Sequence, residues 1–514
     1  MNDKPKSRWY WRLLRWGLIG LAFLATLIAI LVTEENWRGK HAWEAYKRAA
    51  EASGEHLDMA SAVPPPVPDD QNFFAAPAVA EALRAERHEN TITASQPGTN
   101  GVDRLDVNFE RGDSAFWPTN GAGNWQKRTL TDLKPWQTYF RNYSQSPEGR
   151  TNGFPIAPQP QMPAADVVLA LSKFDPSVAA LREASQRPEA RVPLNYEKWL
   201  ENAGTLLPWL AVEKRWTRLV QLRALAEVQA GQGQPSLDDV KLSLRLADTL
   251  SDQPFLVSHL VRMAMMAYVM QPIYEGIAQQ RWNETQLADL EAALATEDFL
   301  ADFQRAMHGE RTCALFYFET LRLTRQAESY VNTDEIVTNS FRWVPSAFFY
   351  QNELAEARMY DQFILPLADL THRSISFETH RAGEKYFHEA TNHYSPYRIQ
   401  ATMTYSSVSR SIVLFAWNQT HVDLARVACA LERHRLAHGD YPETLDALAP
   451  GLIQSMPHDV INGQPLHYRR TNDGGYFLYS VGWNETDDGG TVVLNKYGNV
   501  DRQKGDWVWQ LPAK

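Results

Sequence analysis

The chain has 514 residues, 44% hydrophobic and 22% charged. That is ordinary globular usage, which excludes wholesale disorder and leaves room for about two to four domains. A net charge of −10 argues against a nucleic-acid partner, because phosphate contact needs a basic face. Only Cys313 and Cys429 are present. They exclude a disulfide framework and a cysteine-rich zinc site, and read as small buried side chains in apolar helices, with one disulfide between them left open.

Residues 1–15 form a basic tail: Lys4, Lys6, Arg8, Arg12 and Arg15 stand against Asp3 alone. Trp16 to Thr33, "WGLIGLAFLATLIAILVT", carries no charge. As a helix it spans about 27 Å, against about 30 Å of bilayer hydrocarbon. Glu34 and Glu35 follow. The positive-inside rule then puts the N-terminus in the cytoplasm and the bulk of the chain outside, on the periplasmic side of a cell inner membrane. Trp9, Tyr10, Trp11 and Trp16 suit an aromatic belt at the inner interface. No small-x-small cleavage pattern follows the run, so it reads as an uncleaved anchor. The acidic remainder of the chain is expected to be repelled by anionic lipid and to stand off the membrane.

Residues 34–88 read as a juxtamembrane helix and a Pro-rich linker. Trp37, Trp43, Ala45 and Tyr46 recur near helical spacing, so the anchor helix is expected to continue outward. "VPPPVPDD", Val63 to Asp70, must break it, because proline cannot donate a helix hydrogen bond. Ala76 to Arg87 reads as a short helix. Residues 89–162 are rich in Gly, Asn, Ser, Pro and Thr, with Trp117, Trp125 and Trp136 scattered through them. They read as an irregular layer packed on the next domain, in which the "RGD" of Arg111 to Asp113 is chance.

Residues 163–402 form an α-helical domain in this reading, and residues 403–514 a long helix plus a small α+β module. The fold class is mainly α: a helical array of antiparallel pairs, α-solenoid-like in its short turns though lacking a clean repeat. Ser236 is the expected N-cap of "SLDDVKLSLRLADTL", and a long apolar helix starts at Pro254. Further helices are expected over Thr285 to Ala295, Phe299 to Glu328, Gln351 to Leu370 and Tyr405 to Leu436. The methionines Met263, Met265, Met266 and Met270 read as core filling.

Three stretches carry candidate chemistry. His434 and His438 lie four apart, but no H-E-x-x-H pattern accompanies them. They read as the end of a helix, with Gly439 as its left-handed cap and Asp440, with Glu443 three later, capping the next helix. "HRAGEKYFHEATNHY" places His380, Glu384, His388 and His393 where three imidazoles and a carboxylate hold zinc if the segment folds back. Its Arg381, Lys385 and Asn392 favour a solvated face instead. "HGERT", His308 to Thr312, lies inside an apolar helix and reads as a half-buried hydrogen-bonded network. Nucleophile-elbow, dinucleotide and P-loop patterns are missing, so no catalytic or cofactor-binding residue is assigned.

"LERHRLAHGDYPETLDALAP", "MPHDVINGQPLHYRR" and "GGYFLYSVGWNETDDGG" bring a resemblance into view. Residues 421–511 resemble the globular part of the major pseudopilins of type II secretion. The matching positions are Gly439, Tyr441, Pro442, Pro457, Asp459, Gly463, Tyr468, Ser480, Gly482, Gly489 and Gly490. The residues themselves read as strands at Leu466 to Arg470 and Tyr476 to Val481, joined by a Gly turn, with Asp506 to Pro512 as a candidate final strand. The resemblance implies an acidic loop able to hold calcium through Asn484, Asp487 and Asp488. It departs from that family in placing the anchor about 400 residues upstream, with no prepilin cleavage motif, so a reused module is expected and not a pilus subunit. The juxtamembrane "NWRGKHAWEAYK" and "PPPVPDDQNFF" resemble a set of uncharacterised single-pass bacterial membrane proteins. The expectation is a membrane-anchored envelope scaffold for a protein partner. A metal-dependent hydrolase at His380, Glu384, His388 and His393, and a calcium-stabilised secretion component, are the alternatives.

Overall fold

A computed structural model describes residues 7–84, 121–147, 149, 153–192, 194, 207–325 and 341–512. Lys4, Lys6, the RGD stretch and Trp117 lie outside them. Helix α1 (Ser7–Ala52) runs 46 residues without a break, a length of about 69 Å. It is long and apolar enough to cross a membrane. The helix continues unbroken past the apolar run, as the aromatic spacing implied. The chain then passes through α2 (Met59–Ala62) and the proline linker to α3 (Pro77–Arg84).

The body is mainly helical: α4 (Lys134–Gln145), α5 (Pro163–Leu171), α6 (Asp175–Ser185), α7 (Pro208–Gln229), α8 (Gly233–Asp248), α9 (Leu256–Ala278), α10 (Glu284–Leu294), α11 (Phe299–Thr324), α12 (Ser346–Met359), α13 (Phe377–Asn392), α14 (Ile399–Val408) and α15 (Ile412–His438). Two apolar clusters share the middle helices. Leu219, Leu242, Leu246 and Met265 join the first, which gathers α3 to α6. Val228, Val240, Met263, Met266 and Met270 join the second, which runs on into α10, α11, α15 and the C-terminal strands. Helices α7 to α9 are therefore buried on two faces, which explains their apolar character all round. The four methionines are core.

A two-residue hairpin, β1 (Ala368–Asp369) and β2 (Ser374–Ile375), precedes α13. At the C-terminus β3 (His467–Arg470), β4 (Tyr476–Ser480) and β7 (Trp507–Gln510) form an antiparallel sheet with β4 central. His467 pairs with Tyr479, and Ser480 with Trp507. Strands β5 (Val492–Leu494) and β6 (Val500–Gly505) form a separate hairpin. Period-2 alternation sends Tyr476 and Leu478 into the core. Phe477 and Tyr479 lie instead against Gly490 of the acidic loop, which caps the other face.

Several local expectations fail for identifiable reasons. Ser236 does not cap α8: the helix starts earlier, and the Ser236 hydroxyl donates to the Ala224 carbonyl of α7 at 3.0 Å. Among described residues α11 stops at Thr324, where Arg325 turns left-handed. The helix expected to reach Leu370 becomes a π turn over Tyr360–Ile364 and then a short 3-10 turn containing Pro366. The long helix from Tyr405 is interrupted at Ser409–Ser411, where the Ser411 hydroxyl takes the Val408 carbonyl at 2.7 Å. Asp440 caps nothing, because only the 3-10 turn Leu445–Ala447 follows, starting after Thr444.

Irregular residues 121–131 are ordered by two buried polar side chains of α9. The Trp125 amide donates to Gln271 at 2.7 Å. The Thr131 amide and hydroxyl both donate to Glu275, at 2.8 and 2.6 Å. Backbone without a ladder of its own thus finds partners in side chains of a helix. Trp125 then packs edge-on against His421 of α15 and beside Trp509 of β7.

Candidate functional site at the anchor junction

The outer part of α1 docks against α12. The contact begins at Asn36, three residues past the apolar run. Its Oδ1 accepts the Ala347 amide at 2.7 Å. Helix α12 starts after Pro345 with no side-chain cap of its own, so Asn36 supplies the cap from another helix. At Gly39 the two backbones close up: a Cβ there would meet Ala347 Cα and Tyr350 Cβ, each at 3.4 Å. Trp43 follows on the same face, buried with Leu315 of α11 and with Leu354 and Ala357 of α12. Trp37, counted in the same spacing, points out and stacks on His41.

A charged cluster closes the junction. Arg311 of α11 is 1% exposed. Its guanidinium reaches Asp361, in the π turn after α12, at 2.6 Å and Glu55, just past α1, at 2.7 Å. The Tyr46 hydroxyl donates to the second oxygen of Asp361. Arg311 also donates to His308 Nδ1 at 3.2 Å. Burial, helped by the Arg311 charge, holds the His308 pKa below its ordinary value, which suits a neutral ring acting as acceptor. Burial and the Asp361 hydrogen bond push the Tyr46 hydroxyl up.

Behind Arg311 the interior is acidic but carries few charges. Glu310 accepts the Leu256 amide at 2.8 Å and so caps α9; burial raises its pKa. Burial pushes Glu356 up to about 8, and the nearby Thr404 hydroxyl offsets this only in part. Among the described residues, neither Glu356 oxygen nor the Tyr360 hydroxyl meets a partner in hydrogen-bonding geometry. The Cys313 thiol is also pushed up by burial, so it is no nucleophile at neutral pH. Both cysteines are free thiols. In this cluster the charges pair with one another, and burial favours the protonated form of Glu310 and Glu356. Such a cluster joins α1, α11 and α12 more readily than it activates a substrate.

"HGERT" thus singled out the right arginine. Its partners went unseen because Glu55 and Asp361 lie far off in sequence, and no local period links an arginine to them. A charged residue on the apolar face of a helix was the available signal.

The histidine stretch forms α13. His380 is half-buried, 5.4 Å from the Trp483 ring, and burial lowers its pKa. Glu384 accepts the Tyr405 hydroxyl at 3.3 Å. His388 and His393 are exposed. Among the described residues, no three His, Cys, Asp or Glu side chains gather so as to hold a metal ion. His434 and His438 end α15: their rings stack at 4.1 Å, His438 Nδ1 meets the His434 carbonyl, and Gly439 caps the helix at φ 90°.

In the acidic loop, Asn484 donates to Asp488 at 2.9 Å. Asp487 Oδ1 accepts the Tyr479 hydroxyl and the Gly489 amide, while Oδ2 lies 3.4 Å from His467. The Gly489 hydrogen bond, above all, holds the Asp487 carboxyl below its ordinary range. Asp506 spans the loop, accepting the amides of Asp488, Gly490 and Thr491 at 3.2, 2.6 and 3.1 Å. Asp459 does the same work beneath β4, taking the Ile461 and Val481 amides and the Ser480 hydroxyl.

Compared with protein-family models, curated proteins and solved structures, the chain gave no match.

Proposed function

We propose that this chain is a single-pass protein of a cell inner membrane, with its N-terminus in the cytoplasm and its body on the periplasmic side. There it serves as a non-enzymatic scaffold for a protein partner in the envelope. The observation that carries this reading is the anchor junction. One unbroken helix passes from the apolar run into the body, and Arg311, Glu55, Asp361 and Tyr46 fasten it there. A tether that only retained a protein at a membrane would need no buried arginine. A fixed orientation does, because it requires α1 and α12 to hold one geometry.

The helical pairs α7–α8 and α8–α9 form the buried middle of the body, a rigid support for the exposed positions around them. The C-terminal unit, with α15 against a three-stranded antiparallel sheet and Gly439 and Tyr441 at the helix exit, supports reading it as a pseudopilin-like module. That module shares its core with the helical body, which favours a fixed part of the scaffold over a separately moving head.

The test is site-specific photo-crosslinking of the full chain in its native membrane. Probes go at the exposed body positions Val257, Leu260 and Met403, and a reporter active only outside the cytoplasm is fused after Lys514. A discrete adduct at neighbouring positions, with an active reporter, is the expected result. An inactive reporter overturns the orientation. Absence of adducts at every position overturns the scaffold.

A further inference from the structure

We propose that the pole of the body beside the anchor is itself a membrane-binding surface, in which Leu323, Arg342 and Trp343, with Trp37 of α1, sit in the lipid headgroup layer. This rests on the reading of Trp16–Thr33 as the span. The level of the pole follows from helix geometry. Asn36 lies three residues past Thr33, about 4.5 Å along the axis. The headgroup layer on each face of a bilayer is about 5–8 Å deep. The Ala347 amide, bonded to Asn36, is therefore at headgroup height.

The directions of the helices place the rest. Contacts of α1 with the α12 segment advance together, from Asn36 with Ala347 to Tyr46 with Asp361. Helix α12 thus runs parallel to α1, and its N-terminal end is the membrane end. Helix α11 runs the other way: Arg311 meets Glu55 at the far end, while Arg322 stacks on Tyr350 and Arg325 on Phe349. Arg325 then donates to the Val344 carbonyl and the Ser346 hydroxyl, each at 2.6 Å, joining the end of α11 to the start of α12. The 3-10 turn Phe341–Trp343 precedes α12 and so projects from this pole toward the bilayer.

What projects is apolar and aromatic. Trp343 is 87% exposed, Leu323 69% and Trp37 66%. Arg342, next to Trp343 in the turn, is also exposed. Phe341, Val344 and Phe348 support the patch from behind, packed on Phe318, Leu321 and Phe349. Tryptophan with a flanking arginine is the composition of a membrane–water interface, where the ring meets acyl chains and the cation meets phosphate. The acidic charge of the chain implied that the body stands off the membrane; against that expectation stand the exposed aromatic and apolar side chains of the pole, with Arg342 beside Trp343. The docked pole would also fix the tilt of the body, since it adds a second point of attachment beside the span.

Spin labels in the full chain, reconstituted in phosphatidylcholine nanodiscs, decide it. Single cysteines replace Trp343, Leu323, Leu24 or Ser53 in a chain with Cys313→Ala and Cys429→Ala. Collision of each label with oxygen and with a water-soluble nickel chelate gives its depth. Leu24 reports the span. Ser53 lies about 30 Å beyond Thr33 along α1 and reports water. The expected result is that labels at 343 and 323 read headgroup depth, between those two. Aqueous values at both 343 and 323, with Leu24 in lipid, overturn this inference alone. An aqueous Leu24 overturns the anchor on which it rests. The two pole positions are on separate elements, so a fold lost in one labelled chain leaves the other to decide.

Discussion

Two carboxyl groups five residues apart, the buried Glu356 and the partly solvated Asp361, are held in different ways. Asp361 meets the Arg311 guanidinium and the Tyr46 hydroxyl at the anchor junction. Glu356 faces the interior with no cation, and burial leaves its carboxyl with a pKa of about 8. The difference shows what a buried acid requires. With a cation and a hydrogen bond one acid joins two elements; without a cation, burial favours the proton on the other, which only fills space. The junction belongs to the first kind. It adds a buried arginine to the Asn36 cap and the Trp43 packing that hold α1.

Removing that arginine is the largest expected effect. Arg311→Met leaves Glu55 and Asp361 facing each other with no cation. Breaking a buried pair from one side costs about 3–5 kcal/mol. The low end, about 3 kcal/mol, applies here because both acids are partly solvated. Thermal or denaturant unfolding of the full chain in detergent measures it. Adding Glu55→Gln and Asp361→Asn to Arg311→Met should recover much of the loss. If the single and triple variants melt alike, the charges do not hold the junction.

The uncharged partner in the comparison is exposed by pH. Glu356 titrates near 8 when folded and near 4.5 when unfolded. Between those values the folded protein holds a proton that the unfolded chain has released. Stability contributed by this group is therefore complete below about pH 4.5 and lost as pH rises through about 8. Glu213, fully buried with only Thr249 and a distant arginine to offset it, is also pushed to about 8. Glu356→Gln and Glu213→Gln should flatten the decline in stability between about pH 6 and pH 8. A decline of unchanged slope in the double variant would assign it to other groups.

Packing at the junction gives a smaller effect. Gly39→Val adds a branched side chain where a single Cβ already meets Ala347 and Tyr350 at 3.4 Å. Overpacking of this kind costs about 1–3 kcal/mol. It should act on the docking of α1 more than on the body. Distances between labels on α1 and α12 should broaden while the melt of the body shifts little. A narrow distribution in Gly39→Val would mean that the backbones have room to part.

How much of this was legible in the sequence depends on how far apart the partners lie. Contiguous signals held: the apolar run, its helical continuation through Trp43 and Tyr46, the stop at Gly439, and the strand from Tyr476. Each is set by neighbours within a turn or a pleat. The misreadings at Ser236 and Leu370 have different causes, and Asp440 failed as a cap because only a 3-10 turn follows it. A side chain suited to a local role was taken by a distant partner, as with Ser236 and the Ala224 carbonyl, or the backbone left the α-helix at a π turn that no residue type announces. The junction was half visible. Arg311 stood out as a charge on an apolar face, but which acids it met depended on tertiary packing.

The acidic loop at the other end of the molecule sets the smallest effect against the largest. Its acids are exposed, and its closure runs through Asp506, which takes three backbone amides. Asp506→Ala leaves those donors without their acceptor beside the Trp507 strand, a loss of about 1–3 kcal/mol where they stay dry. Asp487→Asn, at the surface, should cost less than about 1 kcal/mol. Calcium separates two roles for the loop. If protein donors already hold Asn484, Asp487 and Asp488, added calcium leaves the melting temperature of the full chain unchanged. If the loop can release those contacts to an ion, calcium raises the melting temperature, and Asp487→Asn removes the rise. The second outcome would make closure of the loop a response to its surroundings, in contrast to the anchor junction, whose charges have no exchangeable partner.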